Sequence, residues 1–181
     1  MPDLALVAFG GGLAAWILAE AALTSRDRPA PGTLALPTGL LVLAGQLGGT
    51  IEHVARSTGP GWAVAAGAAP FAAGAALFVA GIALRLWSIA TLGAAFASAL
   101  DSPRLVTTGP YRWMRHPSEV GLLAAMLGSS LVLASGFALL ATLAAFPIAA
   151  VRCRREDAAL ARRHRIVHAA WSRRVGWFWP R

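Results

Sequence analysis

Two polar clusters in this chain carry the residue types that could do chemistry. The first runs from Arg104 to Glu119 and includes a tyrosine and a histidine. The second runs from Arg152 to Asp157 and places Arg152 and Glu156 four residues apart. On a helix this spacing puts both side chains on one face, where they can pair with each other or with a zwitterionic ligand. The two clusters are therefore the candidate functional site.

Two prolines shape the backbone of the first cluster. Gly109-Pro110 predicts a turn, and Pro117 forces His116 out of the helical region. Because proline suits the first turn of a helix, we expect a helix to begin at Pro117. The free N–H groups of that first turn can hold an anionic group of a ligand.

The composition indicates what kind of elements must position these clusters. The 181 residues are 57% hydrophobic and only 13% charged, and the mean hydropathy is +0.61. Soluble domains carry about 25% charged residues, so this chain could not cover itself with polar surface. A soluble enzyme, a secreted disulfide scaffold and a disordered tail are excluded, and the single cysteine, Cys153, excludes an internal disulfide. The chain is expected to be an integral membrane protein.

Long apolar runs predict the helices that span the membrane. The run from Ser118 to Val151 would extend about 50 Å as one helix, whereas a hydrocarbon core is about 30 Å thick. Two short spans that turn near Ser135-Gly136 are therefore predicted. In the predicted span Leu34–Val54, the spacing of Gly45 and Gly49 predicts that this helix closely approaches another. The other predicted spans are Leu4–Leu23, Leu34–Val54 and Trp62–Ile89.

The distribution of arginine predicts the sidedness. The chain has sixteen basic residues, all arginine, and a formal net charge of +8; nine of the arginines lie between Arg152 and Arg181. Basic residues next to spans mark the cytoplasmic face, which favours five spans with the N-terminus outside and the C-terminus in the cytoplasm. The composition favours a prokaryotic inner membrane. Nucleic-acid binding is a poor interpretation because the charge flanks apolar spans.

The tail from Arg154 to Ser172 has the periodicity of an amphipathic helix on the cytoplasmic membrane surface. The predicted fold class is all-α, a polytopic transmembrane bundle of about five spans. Its last two spans form a short helical hairpin, and the amphipathic helix follows. Residues 1–181 are predicted to form a single domain. The predicted face of the tail helix comprises Leu160, His164, Val167 and Trp171.

Several polar residues inside the spans need an explanation, because such groups are costly there. Glu20 and Arg85 are expected to form a structural ion pair. Glu52 and His53, at the outer end of the second span, are expected to meet water. His164 and His168 have metal-ligand spacing, but no third ligand accompanies them, so no metal is predicted.

An ordered series of motifs resembles an enzyme family. The series begins at Leu84–Ile89, continues with Leu-Val-x-x-Gly-Pro-Tyr and Arg-His-Pro-Ser-x-x-Gly, and closes with an arginine four residues before an acidic pair. It resembles the integral-membrane isoprenylcysteine carboxyl methyltransferases, with the phospholipid N-methyltransferases as more distant relatives. The resemblance covers about residues 81–180, which would be the catalytic core, while residues 1–60 would be spans that vary within the family.

The resemblance implies a binding site for S-adenosylmethionine, from which S-adenosylhomocysteine is released. It also implies that Arg152 approaches the substrate, and it makes Arg152, Glu119 and Asp157 the candidate catalytic residues. Chemically, Glu156 can bind the cofactor ammonium, His116 its carboxylate or ribose, and Tyr111 can cover the adenine or sulfonium. The candidate cofactor-binding residues are Arg104, Leu105, Val106, Tyr111, His116, Pro117, Ser118, Glu119 and Glu156.

The chain departs from the family pattern at several positions. Glu119 stands where relatives carry tyrosine, so its carboxylate either adds charge near the sulfonium or faces water. Asp157 replaces a glutamate. In the tail, His164-Arg165 stand where relatives carry Phe-Gly. His168 and Trp171 stand where relatives carry tyrosine. These changes argue against a prenylcysteine substrate.

The function predicted from this resemblance is methyl transfer from S-adenosylmethionine to a lipophilic or amphipathic acceptor at the cytoplasmic membrane face. A carboxylate, a thiol and an amine all stay open as acceptors. Arg152 would orient the acceptor, and Glu119 or Asp157 could take the proton of an amine. The expected partners are a lipophilic substrate and membrane lipids. The alternative is a non-catalytic membrane protein that binds anionic lipid or a partner through its arginine-rich tail.

Overall fold

The computed structural model describes residues 9–19, 22, 35–58, 68–93 and 105–179. Within these ranges the regular elements are five α-helices and one 3-10 turn, with an isolated β-bridge between Met114 and Gly176. The predicted all-helical class is thus confirmed. The helices are α1 (Phe9–Ala19), α2 (Ala35–Thr58), α3 (Ala68–Leu92), α4 (Pro117–Val132) and α5 (Gly136–Ser172), and the 3-10 turn is Gly109–Arg112.

Two of the described helices are long and apolar enough to cross a membrane. They are Pro70–Leu92, which is most of α3, and Gly136–Ser172, which is α5. Helices α1 and α4 are apolar but shorter, and the 16 residues of α4 extend about 24 Å. Between α4 and α5 the chain turns over residues 133–135, so the predicted turn near Ser135-Gly136 is confirmed.

Glycines allow α3 and α4 to pack backbone against backbone. Gly121 faces Gly81, and Gly128 faces Gly74, so the two helices run antiparallel. A Cβ on Gly121 would lie 2.6 Å from the carbonyl oxygen of Gly81, closer than real Cβ atoms come to any atom. The pairing therefore needs glycine at these crossings, and it brings the start of α4 to the end of α3.

Helix α2 packs against α5 through the predicted glycines. A Cβ on Gly45 would lie 2.7 Å from Cβ of Ala141, and one on Gly49 would lie 2.8 Å from Cβ of Ala138. The close approach predicted from their spacing is confirmed. Phe78 of α3 packs against α1, with its ring 5.7 Å from that of Trp16. The core cluster comprises Leu13, Trp16, Val42, Phe78, Leu122, Ala125, Met126, Leu133 and Ala145.

The end of α2 holds the turn between α4 and α5. Glu52 accepts hydrogen bonds from the hydroxyl of Ser135 and from the backbone N–H of Phe137, and its other oxygen pairs with Arg56 at 3.1 Å. Arg56 donates to the carbonyl of Ala134 at 2.6 Å. Ala134 has a positive φ of 48°, a conformation that costs energy for a residue with a Cβ. These contacts stabilise the strained turn.

That Glu52 and His53 meet water stays a prediction, since 35% of the Glu52 side chain is exposed, but both residues also contact the turn before α5. Both side chains are partly buried, and Nδ1 of His53 lies 3.0 Å from the carbonyl oxygen of Leu133. The physical reason is that the first turn of α5 and the carbonyls of the preceding turn need hydrogen-bond partners. Because α2 runs antiparallel to α5, its end lies next to them.

The tail helix continues α5 as one element up to Ser172, and its geometry is interrupted at Arg165, which has a φ of 26°. The buried face of the tail helix differs at one position from the face predicted from the sequence. Val167 is 58% exposed, whereas His168 is 6% exposed. The interruption lies between His164 and Val167, and beyond it the buried face passes through His168. That the tail lies on a membrane surface stays a prediction.

Candidate functional site

The α4–α5 hairpin brings the two predicted clusters together. Nη2 of Arg152 lies 2.7 Å from Oε1 of Glu119, and Nε2 of His116 lies 3.3 Å from Oδ1 of Asp157. More than thirty residues of sequence separate the partners in each pair. They meet because α4 runs away from the first cluster, the chain turns over residues 133–135, and α5 runs back and carries the second cluster. That the two clusters return to the same end of the bundle is thus confirmed.

The local backbone follows the predicted proline signals. His116 is the N-cap of α4 with φ −125° and ψ 55°, outside the helical region, and Pro117 occupies the first turn. Pro110 lies in the 3-10 turn after Gly109, which has a φ of 56°. A Cβ on Gly109 would lie 2.7 Å from the hydroxyl of Thr91, so glycine lets the loop pack on the end of α3.

Asp157 connects three parts of the site. Its Oδ2 accepts hydrogen bonds from Nη1 of Arg115 at 3.2 Å and from Nε1 of Trp177 at 3.0 Å. Its Oδ1 lies 3.3 Å from Nε2 of His116 and 3.7 Å from Nε2 of His168. The carboxylate therefore joins the loop before α4, α5 itself and the segment after α5.

The segment after α5 closes one side of the site. Gly176 accepts a backbone hydrogen bond from Arg115 at 2.9 Å, and the guanidinium of Arg115 donates to the carbonyl of Ser172 at 2.6 Å. The indole of Trp171 donates to the carbonyl of Tyr111 at 2.9 Å. The ring of Trp177 meets the His116 ring edge-on, with centroids 5.9 Å apart. Aromatic side chains thus shield the loop that carries the first cluster.

No role in the site was predicted for Arg115, His168 and Trp177, although Arg115 lies within the first cluster. One signal was available for His168, because Asp157, Leu160, His164 and His168 are separated by three or four residues and so share a helix face. Nothing in the local sequence around Arg115 or Trp177 indicates their common partner, since both reach Asp157 across the tertiary structure.

Tyr111 and Glu156 lie on the same side of the site. Tyr111 is buried, and burial, followed by the negative charge of Glu156, raises the pKa of its phenol above the usual range. The phenol is protonated at neutral pH, as an ordinary tyrosine is, and can act as a hydrogen-bond donor. Glu156 keeps 30% of its side chain exposed, with Oε2 4.0 Å from Nδ1 of His116. Its side chain is thus more exposed than that of Glu119, which is 4% exposed.

Glu119 does not face water, so one of the two interpretations left open by the sequence is wrong. It is 3% exposed and lies in the first turn of α4, paired with Arg152. Its two carboxylate oxygens accept no hydrogen bond from the described residues. The guanidinium of Arg152 compensates this buried negative charge, and the carboxylate can also attract a cationic group of a ligand. A position near a sulfonium stays a prediction.

The remaining candidate residues have different environments. Ser118 accepts a hydrogen bond from Nη1 of the buried Arg85 at 2.9 Å, and its carbonyl accepts a second one at 3.2 Å. Leu105 and Val106 are partly buried before the 3-10 turn. Two of the predicted residues, Arg104 and the proposed Arg85 partner Glu20, lie outside the described residues.

Asp157→Asn is expected to loosen the segment after α5. The amide keeps the shape but turns one acceptor oxygen into a donor, which would oppose the donors of Arg115 and Trp177. Hydrogen bonds to charged groups are worth about 1.5–3 kcal/mol each, so we expect a loss of that order in stability. Tryptic cleavage at Arg173 and thermal unfolding in detergent measure it.

Arg162→Gln, on an exposed part of the same helix, is the control for this measurement. Unchanged cleavage and unfolding in Asp157→Asn would show that the contacts of Asp157 contribute nothing to holding the segment.

The fold and the site together define a helical membrane protein with a polar site at one end of its bundle. The family model for phospholipid methyltransferases matches residues 69–165, more than half of the chain, and includes both clusters. The chain therefore belongs to the phospholipid methyltransferase family, and the resemblance described above is confirmed at the level of this family. Membership associates the chain with the membrane and with methyltransferase activity. No curated protein and no solved structure matched the chain.

The residues present fit the methyl donor of a methyltransferase. S-adenosylmethionine carries an ammonium, a carboxylate and a sulfonium. A partly exposed acidic side chain, Glu156, suits the ammonium, and the buried carboxylate of Glu119 offers a negative charge that suits the sulfonium. The imidazole of His116 adds a polar group for the cofactor carboxylate or ribose.

Proposed function

We propose that this protein transfers the methyl group of S-adenosylmethionine to a lipophilic or amphipathic acceptor at the cytoplasmic membrane face. The observation that carries the proposal is the convergence of His116 and Glu156 with the Arg152–Glu119 pair at one end of the α4–α5 hairpin. All four residues lie within the part of the chain that matches the family.

In this proposal the cofactor residues come from both clusters. Glu156 binds the ammonium, and His116 binds the carboxylate or the ribose. Tyr111, which is buried beside Glu156, covers the adenine or the sulfonium. The remaining cofactor contacts are assigned to Arg104, Leu105, Val106, Pro117, Ser118 and Glu119.

The bound cofactor supplies an electrophilic methyl group, and the protein supplies position. Arg152, whose side chain is 28% exposed, orients the acceptor. Holding the acceptor atom in line with the methyl group can supply much of the acceleration. The buried Tyr111 and Met114 exclude water from this region. When the acceptor is an amine, Glu119 or Asp157 takes its proton.

The proposed topology has five spans, with the N-terminus outside and the arginine-rich C-terminus in the cytoplasm of a prokaryotic cell. The location of Arg152, Arg154 and Arg155 at the end of the apolar part of α5 supports it, because basic residues favour the cytoplasmic side. A green fluorescent protein fused to the C-terminus should fluoresce, since it matures in the cytoplasm. A dark but expressed fusion would overturn this topology.

Binding of S-adenosylhomocysteine tests the function. We expect saturable calorimetric binding to the purified protein in detergent and in lipid nanodiscs, followed by transfer of a labelled methyl group to lipophilic acceptors. Folded protein that binds no S-adenosylhomocysteine in either medium would overturn the proposal. That outcome would favour a non-catalytic membrane protein that binds anionic lipid or a partner through its tail.

A further inference from the structure

The ion pair between Glu119 and Arg152 spans the gap between α4 and α5. Nη2 of Arg152 lies 2.7 Å from Oε1 of Glu119, and the carboxylate is buried while the guanidinium is partly exposed. Arginine is the side chain best suited to recognise a carboxylate. In this chain the carboxylate that it meets is supplied by the protein.

We propose that Glu119 determines acceptor specificity. By occupying Arg152, it excludes acceptors that react through a carboxylate and admits acceptors that react through an uncharged nitrogen or sulfur atom. The inference rests on the proposed function, because it places Arg152 on the acceptor side of the same site.

Competition for the guanidinium is the first argument. A carboxylate acceptor would have to displace Glu119 from Arg152. Glu119 would then be a buried anion without its partner, and its oxygens accept no hydrogen bond from the described residues that could compensate. Removing one partner from a buried ion pair is strongly unfavourable. An uncharged acceptor atom leaves the pair intact when Asp157, the other candidate base, takes the proton of an amine.

The local charge is the second argument. Glu119 pairs with Arg152, and Glu156 lies one helical turn from the same arginine, while Asp157 is bound by Arg115. The guanidinium of Arg152 is therefore paired with Glu119 and lies one helical turn from a second acidic residue of the protein. A third carboxylate, brought by an acceptor, would add negative charge next to Glu119, whereas a reaction that places positive charge on the acceptor is favoured there.

The third argument is where the positive charge of the sulfonium is located after the methyl transfer. With an amine, the nitrogen lone pair forms the new N–CH3 bond while the S–CH3 bond breaks and its electron pair stays on sulfur. The positive charge thus moves from sulfur to nitrogen and stays near Glu119. A thiol acceptor loses its proton to water in the same transfer. With a carboxylate acceptor, the product is a neutral ester and the positive charge disappears from the site.

Three acceptors with the same chain test the proposal: dodecylamine, dodecanethiol and dodecanoate, in nanodiscs of one lipid composition. In the parent protein, we expect labelled methyl transfer to dodecanoate to be at least tenfold slower than to the faster of the other two. Glu119→Gln should reduce this ratio at least tenfold. It should also tighten dodecanoate binding to the protein loaded with S-adenosylhomocysteine at least tenfold, a measurement that needs no turnover.

Matched variants isolate the pair. Adding Arg152→Gln to Glu119→Gln should remove the gain with dodecanoate, because the freed guanidinium is then absent. Glu119→Tyr also removes the charge, so it should give the same gain with dodecanoate. It replaces Glu119→Gln in these measurements if Glu119→Gln folds poorly. Glu52→Gln, the same substitution at the opposite end of the hairpin, should leave the acceptor ratio unchanged.

Two outcomes would overturn the inference. One is a parent protein that methylates or binds dodecanoate as well as Glu119→Gln does. The other is a dodecanoate affinity that stays the same in both charge-removing variants. A separate titration with S-adenosylhomocysteine distinguishes this from failure of the proposed function. Normal cofactor binding with unchanged dodecanoate affinity would reject the role of Glu119 alone, whereas absent cofactor binding by folded protein would reject the function.

Discussion

Glu156→Gln is expected to lower the affinity for S-adenosylhomocysteine at least about 30-fold, because it removes the carboxylate proposed to bind the cofactor ammonium. Loss of one partner from a desolvated charge pair typically costs about 2–5 kcal/mol, and about 1.4 kcal/mol corresponds to a tenfold change. The amide keeps the size of the side chain next to His116, so the variant should fold like the parent. Isothermal titration in detergent measures the loss.

The matched control for this measurement is Glu52→Gln, which removes a carboxylate at the other end of the hairpin. It should bind S-adenosylhomocysteine as the parent does. If Glu156→Gln and the parent bound with the same affinity, Glu156 could not hold the ammonium. If both glutamine variants lost binding equally, the effect would come from general destabilisation.

Gly121→Ala is expected to disrupt the contact between α3 and α4. Its new Cβ would lie 2.6 Å from the carbonyl oxygen of Gly81 and 2.7 Å from the backbone N of Arg85. Both are backbone atoms of a packed helix, so no flexible side chain can move aside. Overpacking typically costs about 1–3 kcal/mol and sometimes more. Thermal unfolding in detergent measures this loss of stability.

The same substitution at Gly136 is a direct control. A Cβ there would meet nothing within 4 Å, and alanine is the better helix former, so Gly136→Ala should be at least as stable as the parent. Gly121→Ala should also weaken cofactor binding, because it moves the first turn of α4 away from Arg85, which binds Ser118. Equal stability of the two alanine variants would contradict the close approach of α3 and α4.

Much of the fold follows from local signals in the sequence. The turn before Gly136 is predictable because a 34-residue apolar run is too long for one span. The start of α4 at Pro117 follows from the effect of proline on its neighbour. Gly45 and Gly49 mark the contact of α2 with α5 because their spacing places both on one helix face. Such signals depend on residues that are close in sequence.

The sequence could also indicate which two clusters form the candidate site, since a hairpin returns its ends to the same level. It could not indicate how their side chains pair. Glu119 was compatible with two environments, and only the packing of α4 against α5 places it next to Arg152 and away from water. The division into residues 1–60 and a core over residues 81–180 stays a prediction.

By itself, then, the sequence determined the helical class, the hairpin and the residue types of the site, because hydrophobic periodicity, proline and glycine act locally. The tertiary structure alone decided that Asp157 is bound by Arg115 and Trp177, and that Glu52 holds the turn before α5. A buried charge takes as partner whichever donor the packing brings within about 3 Å. That choice depends on helix rotation and on distant segments of the chain.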